Sequence, residues 1–162
     1  MLTLSIDGVD ALRTRLDAYP AALASELAAK TQELAGALAD KVKYEKLASE
    51  ALESRSGALA ASIAAEVSGD GEDVAATVGS FGGVKYAAIQ EYGGKTGAHE
   101  ILPSKASMLA FVADGAMNFA RRVEHPGSLI PERSYLRSSL DEMRAEIVAA
   151  LAAAASESWE RT

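Results

Sequence analysis

The stretch Tyr86-Ala87-Ala88-Ile89-Gln90-Glu91-Tyr92-Gly93-Gly94 lies in the middle of the chain. Its spacing places Tyr86, Ile89 and Gln90 on one face of a helix, because side chains three and four residues apart are neighbours. The two glycines end this helix, since glycine adopts left-handed dihedral angles at little cost. We therefore predict a short capped helix that packs on a sheet. Tyr86 and Ile89 should be largely buried, and Glu91 should be exposed.

The segment before this stretch predicts a long helical arm followed by a β-hairpin. Apolar residues recur at helical spacing between Val9 and Val42, and Pro20 suits the first turn of a second helix within this arm. Apolar and other residues then alternate over 63–67 and again over 74–78. Such alternation is typical of strands, so these two runs predict a paired hairpin.

The segment after this stretch predicts further strands and a second long helix. The compact apolar run 108–112 is interpreted as a buried strand, and the turn signal Asp114-Gly115 joins it to a partner strand over 117–123. Apolar residues at helical spacing between Leu136 and Leu151 predict a final helix, whose alanine tract favours helix formation. Trp159 is expected to anchor the end of this helix.

These elements together predict a single α+β domain over residues 1–162. The sheet is antiparallel or mixed with about four to five strands, because helices and strands are segregated rather than alternating. A long N-terminal helix and a long C-terminal helix flank it. The expected bounds are about 9–53 for the helical arm, about 57–130 for the sheet core and about 132–158 for the last helix.

The composition indicates a thin hydrophobic core. Hydrophobic residues make up 49% of the chain, but much of this is alanine and only 6% of the residues are aromatic. The core is therefore thin or is completed by neighbouring subunits. The absence of cysteine excludes disulfides and thiolate metal sites. No apolar run is long enough to cross a bilayer, and no secretory signal is visible, so we expect no membrane partner and folding in a cytoplasm.

The charge of the chain disfavours a role in gripping nucleic acid. The formal net charge is -7, and the first eighty residues carry 13 acidic and 7 basic side chains, so the acidity is N-terminal. The nearest approach to a basic patch is Arg121 and Arg122 with Lys105 and Arg133. Four such residues are more typical of a solvated edge or a protein contact than of a phosphate-binding surface.

The side chains that could carry chemistry are few. His99 and His125 are the only histidines, and with Glu100 and Glu124 they could in principle form a metal site. Neither pair has the spacing of a zinc-binding helix, so we interpret both as loop histidines bonded to backbone. Glu91 could act as a lone general acid, but no nucleophile paired with a base is evident. We predict no catalytic residue, no cofactor and no metal.

Several short motifs follow one another between residues 84 and 137. They are Tyr86-Ala87 with Gln90-Glu91-Tyr92-Gly93, His99 to Pro103, Met108 to Phe111, Arg121-Arg122-Val123-Glu124-His125-Pro126-Gly127, and Ile130-Pro131 to Arg133 with Tyr135-Leu136. Their order, with long helices before and after, resembles the neck and tail-completion proteins of long-tailed bacteriophages, often called minor tail components. The chain departs from the family pattern at Gly94-Lys95, where a small polar residue is usual.

The resemblance implies a non-enzymatic structural protein of the virion neck or tail, assembled in the cytoplasm of the bacterial host. It implies a ring, hexameric in the particle, around a channel that DNA crosses without sequence-specific binding. Head-closure, tail-terminator or tail-tube proteins would be its neighbours. The glycine-rich stretch 93–97 is expected to be a mobile arm that a neighbouring subunit orders. The implied interface or motif residues are Tyr86, Gln90, Glu91, Tyr92, Gly93, Arg121, Arg122, His125, Pro126, Gly127, Arg133 and Tyr135.

A second hypothesis comes from another functional class. In it, the chain is a cytoplasmic enzyme or metal-binding domain that uses His99, His125 and Glu91. A metal retained by the purified protein would distinguish the second hypothesis from the first.

Overall fold

The computed structural model describes residues 7–50, 57–69 and 73–161. Packing within the chain groups it into two compact units. The first unit comprises Met1–Ala87 and Ser134–Thr162, and the second comprises Ala88–Arg133. The second unit is therefore an insertion in the sequence of the first. This grouping reflects the density of contacts, and the single-domain prediction stays a prediction.

The predicted long N-terminal and C-terminal helices are confirmed. Helix α1 (Val9–Lys41) has 33 residues and continues directly into a π-helix, Val42–Glu50. At about 1.5 Å per residue, α1 is roughly 50 Å long. A short helix α2 (Ala58–Ser62) follows, and helix α4 (Leu136–Arg161) ends the described chain. The last helix thus begins a few residues later than predicted and ends a few residues later as well.

The predicted helix boundary at Pro20 is wrong, because Pro20 lies inside the continuous α1. A proline in a helix removes one backbone donor and disfavours the turn before it. Here the same turn is held by α4, since the rings of Tyr19 and Trp159 meet edge to face at a centroid separation of 5.2 Å. Arg15 also lies 4.8 Å above the Trp159 ring and donates to the Trp159 carbonyl. Tertiary packing therefore overrides the local preference, and Trp159 anchors α4 as predicted.

Within the described residues, the strands pair in four separate two-stranded sheets instead of the single sheet of four to five strands that we predicted. All pairs are antiparallel, as expected for the α+β class. In the first unit, β1 (Ile63–Ser68) pairs with β2 (Ala75–Ser80), which confirms the predicted hairpin. Residues 70–72 of its predicted turn lie outside the described residues.

The six strands of the second unit form nested pairs. Outermost is β3 (Gly94–Lys95) with β8 (Leu129–Ile130), then β4 (His99–Ile101) with β7 (Val123–His125). Innermost is β5 (Leu109–Ala113) with β6 (Ala116–Ala120). Along the chain, the first strands of these pairs come in the order outermost, middle and innermost, and their partners follow in the reverse order. The second unit is therefore a two-stranded ribbon and not a broad sheet, because each strand on the incoming side pairs with one strand on the returning side.

The innermost pair closes on the turn that the sequence predicted. Asp114 and Gly115 both have positive φ, 53° and 77°, as a two-residue type I′ turn requires. The expected burial of 108–112 is wrong, because Met108, Phe111 and Val112 are exposed. A two-stranded ribbon buries side chains only where another element covers it. The apolar run in the sequence could not show that these side chains lack such a cover.

The core of the first unit lies where the end of α1 and the π-helix meet α2, β1 and α4. Its buried members are Leu38, Ala39, Val42, Leu47, Leu59, Ile63, Ala87, Tyr135 and Met143. The hydroxyl of Tyr135 donates a hydrogen bond to the carbonyl of Ala87 at 3.1 Å inside this core. By contrast, Val9, Leu12 and Leu16 at the start of α1 are exposed, so the predicted apolar stripe is buried only toward its C-terminal end.

Ion pairs connect the end of α1 and the π-helix to α4. The ammonium of Lys46 lies 2.8 Å from one carboxylate oxygen of Glu142, and that of Lys41 lies 3.1 Å from the other. The hydrogen bonds from Lys46 and then Lys41 lower the pKa of Glu142 below its usual value of 4.5. Lys41 also contacts Glu45, so its own pKa is raised by hydrogen bonds to Glu45 and Glu142.

No helix in the described part of the chain has an apolar stretch long enough to traverse a lipid bilayer.

Replacing Leu47 by alanine should strongly destabilise the protein. Leu47 is only 1% exposed in the core, and such truncations reduce the free energy of unfolding by about 2–5 kcal/mol. The matched control is Leu129→Ala, because Leu129 is 82% exposed and its truncation should change stability by less than about 0.5 kcal/mol. Urea unfolding of both variants measures the difference. Equal losses of stability would contradict the position of the core.

Replacing Glu142 by glutamine should lower the melting temperature at pH 7 but not in acid. The lowered pKa means that the folded state favours the ionised carboxylate, so its contribution is present above the ordinary pKa and is lost as pH falls through the folded value. Thermal melts of Glu142→Gln and wild type between pH 7 and 3 should therefore begin to approach each other below about pH 4.5 and converge once the pH is below the lowered pKa of the folded state. Glu146→Gln, on the same helix and exposed, is the control. An unchanged gap at pH 3 would refute the assignment.

Candidate functional site

The short helix at the centre of the sequence argument is α3 (Ala87–Tyr92). Two corrections concern its faces. Tyr86 is 44% exposed instead of buried, because it precedes the first helical residue. Glu91 is 2% exposed instead of solvated, because it follows Ala87 by four residues and shares its buried face. The spacing of residues shows which of them share a face of α3 but not which face is covered.

The end of α3 is fastened to the segment that leads toward the last helix. The backbone amide of Arg133 donates to the carbonyl of Gln90 at 2.9 Å. Gly93 has a φ of 69°, and a Cβ there would lie 2.8 Å from the amide nitrogen of Glu132. Only glycine fits this close approach. The motif Gln90 to Gly93 and the motif that ends at Arg133 are therefore spatial neighbours.

Ile89 is half-buried and lies over the backbone of Gly94, where a Cβ would come 3.3 Å from its Cγ1. The side chain of Ile89 thus lies beside Gly94, five residues further along the chain, and the burial predicted for Ile89 is only partial. The side-chain oxygen of Gln90 is buried without a hydrogen-bond partner among the described residues. Tyr92, at the end of the helix, is exposed.

The predicted mobile arm at 93–97 is instead paired with the segment 127–130. Gly94 and Lys95 form β3, and the amide of Thr96 donates to the carbonyl of Ser128 at 2.9 Å. The amide of Ser128 donates back to the hydroxyl of Thr96 at 2.7 Å. Gly127, with φ of 89°, lies so close that a Cβ would be 2.1 Å from the carbonyl oxygen of Thr96. Backbone pairing thus orders this glycine-rich arm within one chain.

The two histidines meet across the next pair of strands. His99 in β4 lies opposite His125 in β7, and their rings stack at a centroid separation of 5.0 Å with an angle of 27° between planes. The predicted placement in loops is wrong, because both are the terminal residues of short strands. The predicted bonding to backbone is confirmed, since His99 Nδ1 lies 3.2 Å from the Gly97 carbonyl and the Gly127 amide donates to His125 Nδ1 at 3.0 Å.

The acidic neighbours of the histidines also face each other. Glu100 and Glu124 are directly opposite in the same ladder. Arg122 lies between them, with its Nε 3.1 Å from Glu100 and its guanidinium 3.8 Å from Glu124. Like charges directly opposite on a sheet are unfavourable, and a shared cation relieves that repulsion. Arg122 therefore has a local role in holding β4 against β7.

The remaining predicted residues lie apart from this ladder. Arg121 and Arg133 are exposed, and Tyr135 is buried in the core of the first unit. Pro126 joins His125 to Gly127. The partners that the sequence argument did not single out are Thr96, Gly97 and Ser128. These residues had no signal in the sequence, because hydrogen bonds between a hydroxyl and the backbone leave no periodic pattern.

The site has limited chemical capacity. The Nδ1 atoms of His99 and His125 are both engaged with backbone. Among residues 7–50, 57–69 and 73–161, no group of three or more histidine, cysteine, aspartate or glutamate side chains is placed to hold a metal ion. What the arrangement can do is fasten two segments of backbone.

Comparison of the chain with protein-family models, with curated proteins and with solved structures gives no match. The function must therefore be argued from the chain itself.

We expect the purified protein to retain no stoichiometric transition metal. The reason is that Nδ1 of both His99 and His125 is engaged with backbone, and that no third ligand joins them among the described residues. Elemental analysis after incubation with Zn²⁺ and dialysis measures the content, with the double variant His99→Ala/His125→Ala as the control. One equivalent of zinc or iron in wild type that is lost in the double variant would contradict this expectation and support the enzymatic or metal-binding hypothesis.

Proposed function

We propose that the protein is a structural subunit of the head–tail neck of a long-tailed bacteriophage, in which several copies form a ring around the DNA channel. The order of motifs between residues 84 and 137 supports this family. The observation that carries the proposal is an uncovered apolar face on the innermost hairpin of the second unit. A subunit that completes its packing only in an assembly has such a face.

This apolar face follows from the register of β5 and β6. Ala110 lies opposite Phe119 and Val112 lies opposite Met117, so these four side chains project from one face of the ribbon. Val112 is 67% exposed, Met117 is 61% exposed and Phe119 is 65% exposed. Contiguous exposed apolar side chains of this kind mark interaction surfaces in soluble proteins. We call Ala110, Val112, Met117 and Phe119 the hairpin face.

A neighbouring subunit is the partner that we assign to the hairpin face. A single two-stranded hairpin is marginally stable in water, so burial of its face supplies what the isolated chain lacks. Its two strands also have open outer edges, which accept further strands from another chain. A head-to-tail contact of this type closes into a ring when the rotation between subunits is suitable. A hexameric ring is the closed form that we propose in the particle, with a monomer or weak oligomer in dilute solution.

The charge of the chain supports passage of DNA without binding. The net charge is -7, so the wall of a channel built from this protein repels phosphate at short range. Head-closure, tail-terminator or tail-tube proteins are the proposed neighbours above and below the ring. Tyr86, Tyr92, Arg121 and Arg133 are exposed and remain the proposed contacts to those neighbours.

The second hypothesis, an enzyme or metal-binding domain that uses His99, His125 and Glu91, has one observation in its favour. The two histidines, which are distant in sequence, lie in contact. Their engagement with backbone supports the structural role instead, because it explains their contact without a ligand.

The hairpin face can be tested directly in particles. The variant Val112→Ser/Phe119→Ser should fold normally, since both side chains are exposed, but its incorporation into particles should fall at least about tenfold, which corresponds to roughly 1.4 kcal/mol. Labelled protein counted at the neck by electron microscopy measures the incorporation. The control Leu129→Ser alters an equally exposed apolar residue outside the face and should be incorporated normally.

Two outcomes would overturn different parts of this proposal. Normal incorporation of the double variant would exclude the hairpin face as the subunit contact. Absence of wild-type label from the neck, with unaltered tails in particles that lack the gene, would exclude the neck function itself.

A further inference from the structure

The first turns of α1 carry an apolar face that is largely open to solvent. Val9, Leu12 and Leu16 are each exposed by half or more. Their spacing of three and four residues places them on one side of the helix. Helix α4 meets α1 further along, where the rings of Tyr19 and Trp159 are in contact. We call Val9, Leu12 and Leu16 the arm face.

The beginning of α1 lacks a side-chain cap. Gly8 is the N-cap residue, and no side chain accepts a hydrogen bond from the first backbone amides there. Short stretches of helix are marginal in water, and most helical stability in proteins comes from packing of an apolar face. A second helix that covers the arm face therefore stabilises this end of α1.

The spacing of the arm face fits pairing with another helix of the same sequence. Val9, Leu12, Leu16 and Tyr19 follow the alternating steps of three and four residues that form the seam of a coiled coil. In an antiparallel pair of such helices, Leu12 of each copy lies opposite Leu16 of the other. Val9 of each copy then lies opposite Tyr19 of the other. The seam is thus complementary to itself.

The charges beside the arm face favour this antiparallel arrangement. Arg13 and Asp17 are exposed and lie on one edge of the face. In the register of the apolar seam, Arg13 of each copy is offset by only about 3 Å along the axis from Asp17 of the other. Two ion pairs therefore flank the seam. Arg15, on the other edge, is directed to the ring and carbonyl of Trp159 in its own chain, so it does not oppose its counterpart.

We propose that the arm face binds the arm face of a second copy of this chain in an antiparallel pair with two-fold symmetry. Such a contact is isologous, so each apolar contact and each ion pair occurs twice. The seam covers only about three helical turns, and stable interfaces bury roughly 1,200–2,000 Å². The pair is therefore weak and dissociates in dilute solution.

This contact is separate from the one assigned to the hairpin face. The arm face belongs to the first unit of the chain, and the hairpin face belongs to the second. The arm contact does not depend on the proposed neck function, because it follows from the exposed residues of α1 alone. A solution experiment on the purified protein therefore tests it without particles.

The test is sedimentation equilibrium over a range of protein concentrations. Val112→Ser/Phe119→Ser is present throughout as a background, because it removes association through the hairpin face. We expect this background protein to form dimers in equilibrium with monomers. Leu12→Ser/Leu16→Ser should weaken dimerisation at least about tenfold, since it removes the apolar seam. Thr14→Ala is the control, because Thr14 lies on the opposite side of the helix and its replacement should leave dimerisation unchanged.

Charge reversal tests both the identity of the partner and the orientation. Arg13→Asp places two acidic side chains against each other at each end of the seam, and Asp17→Arg places two basic side chains there. Each variant alone should therefore dimerise about tenfold more weakly than the background. An equimolar mixture of the two variants should regain nearly the strength of the background, because the two chains present opposite charges to each other. Altered helix stability cannot produce such a recovery on mixing.

Three results would overturn the proposal. The first is a background protein that stays monomeric at about 1 mM, where even weak pairs are populated. The second is a Leu12→Ser/Leu16→Ser variant that dimerises as strongly as the background. The third is a mixture of Arg13→Asp and Asp17→Arg chains that associates no more strongly than either variant alone. Incorporation into particles, measured for the hairpin face, reports on the neck function separately.

Discussion

The hydrogen bond from the Tyr135 hydroxyl to the Ala87 carbonyl closes the first unit at the place where the chain leaves it and returns. Both residues belong to the core that also contains Val42, Leu47 and Ile63. Leaving a buried hydroxyl without an acceptor lowers the free energy of unfolding by about 1–3 kcal/mol. The carbonyl of Ala87 must therefore stay within reach of Tyr135. The core thus requires Ala87 and Tyr135, which flank the inserted segment, to lie next to each other, and this requirement does not depend on the sequence of the insertion. Loop-closure entropy rises only slowly with length, so such an insertion can be long.

The sequence predicted those parts of the fold that depend on local periodicity. Both long helices, the hairpin over 63–80 and the turn at Asp114-Gly115 follow from spacing and turn chemistry. The assembly of strands into separate pairs did not follow, because alternation shows that a strand has two faces and not how many partners it has. Pro20 was misjudged for a related reason. Its helix is held by Tyr19 and Trp159, residues far apart in the sequence.

The sequence predicted which residues belong to the candidate site but not which of them contact each other. His125, Gly127, Gln90 and Gly93 were all singled out, and the structure gives each a packing or bonding reason. Their contacts to the segment around Thr96 and to Arg133 are backbone contacts, which no side-chain pattern encodes. The burial of Glu91 was not predicted, because helical spacing shows that Ala87 and Glu91 share a face of α3 but not that this face is the covered one.

The nested order of the six strands has a consequence for how the second unit folds. Once the Asp114-Gly115 turn forms, β5 and β6 are already adjacent, and their pairing brings the ends of β4 and β7 near each other. Each further pair then closes a loop that is already nearly closed, so the entropy lost at each step is small. Hairpins of this type form within about 1–10 μs, and nearby contacts are made faster than distant ones. The second unit can therefore form outward from a single nucleus and end with the pairing of β3 and β8. The pairing of α1 with α4, by contrast, needs nearly the whole chain to be present.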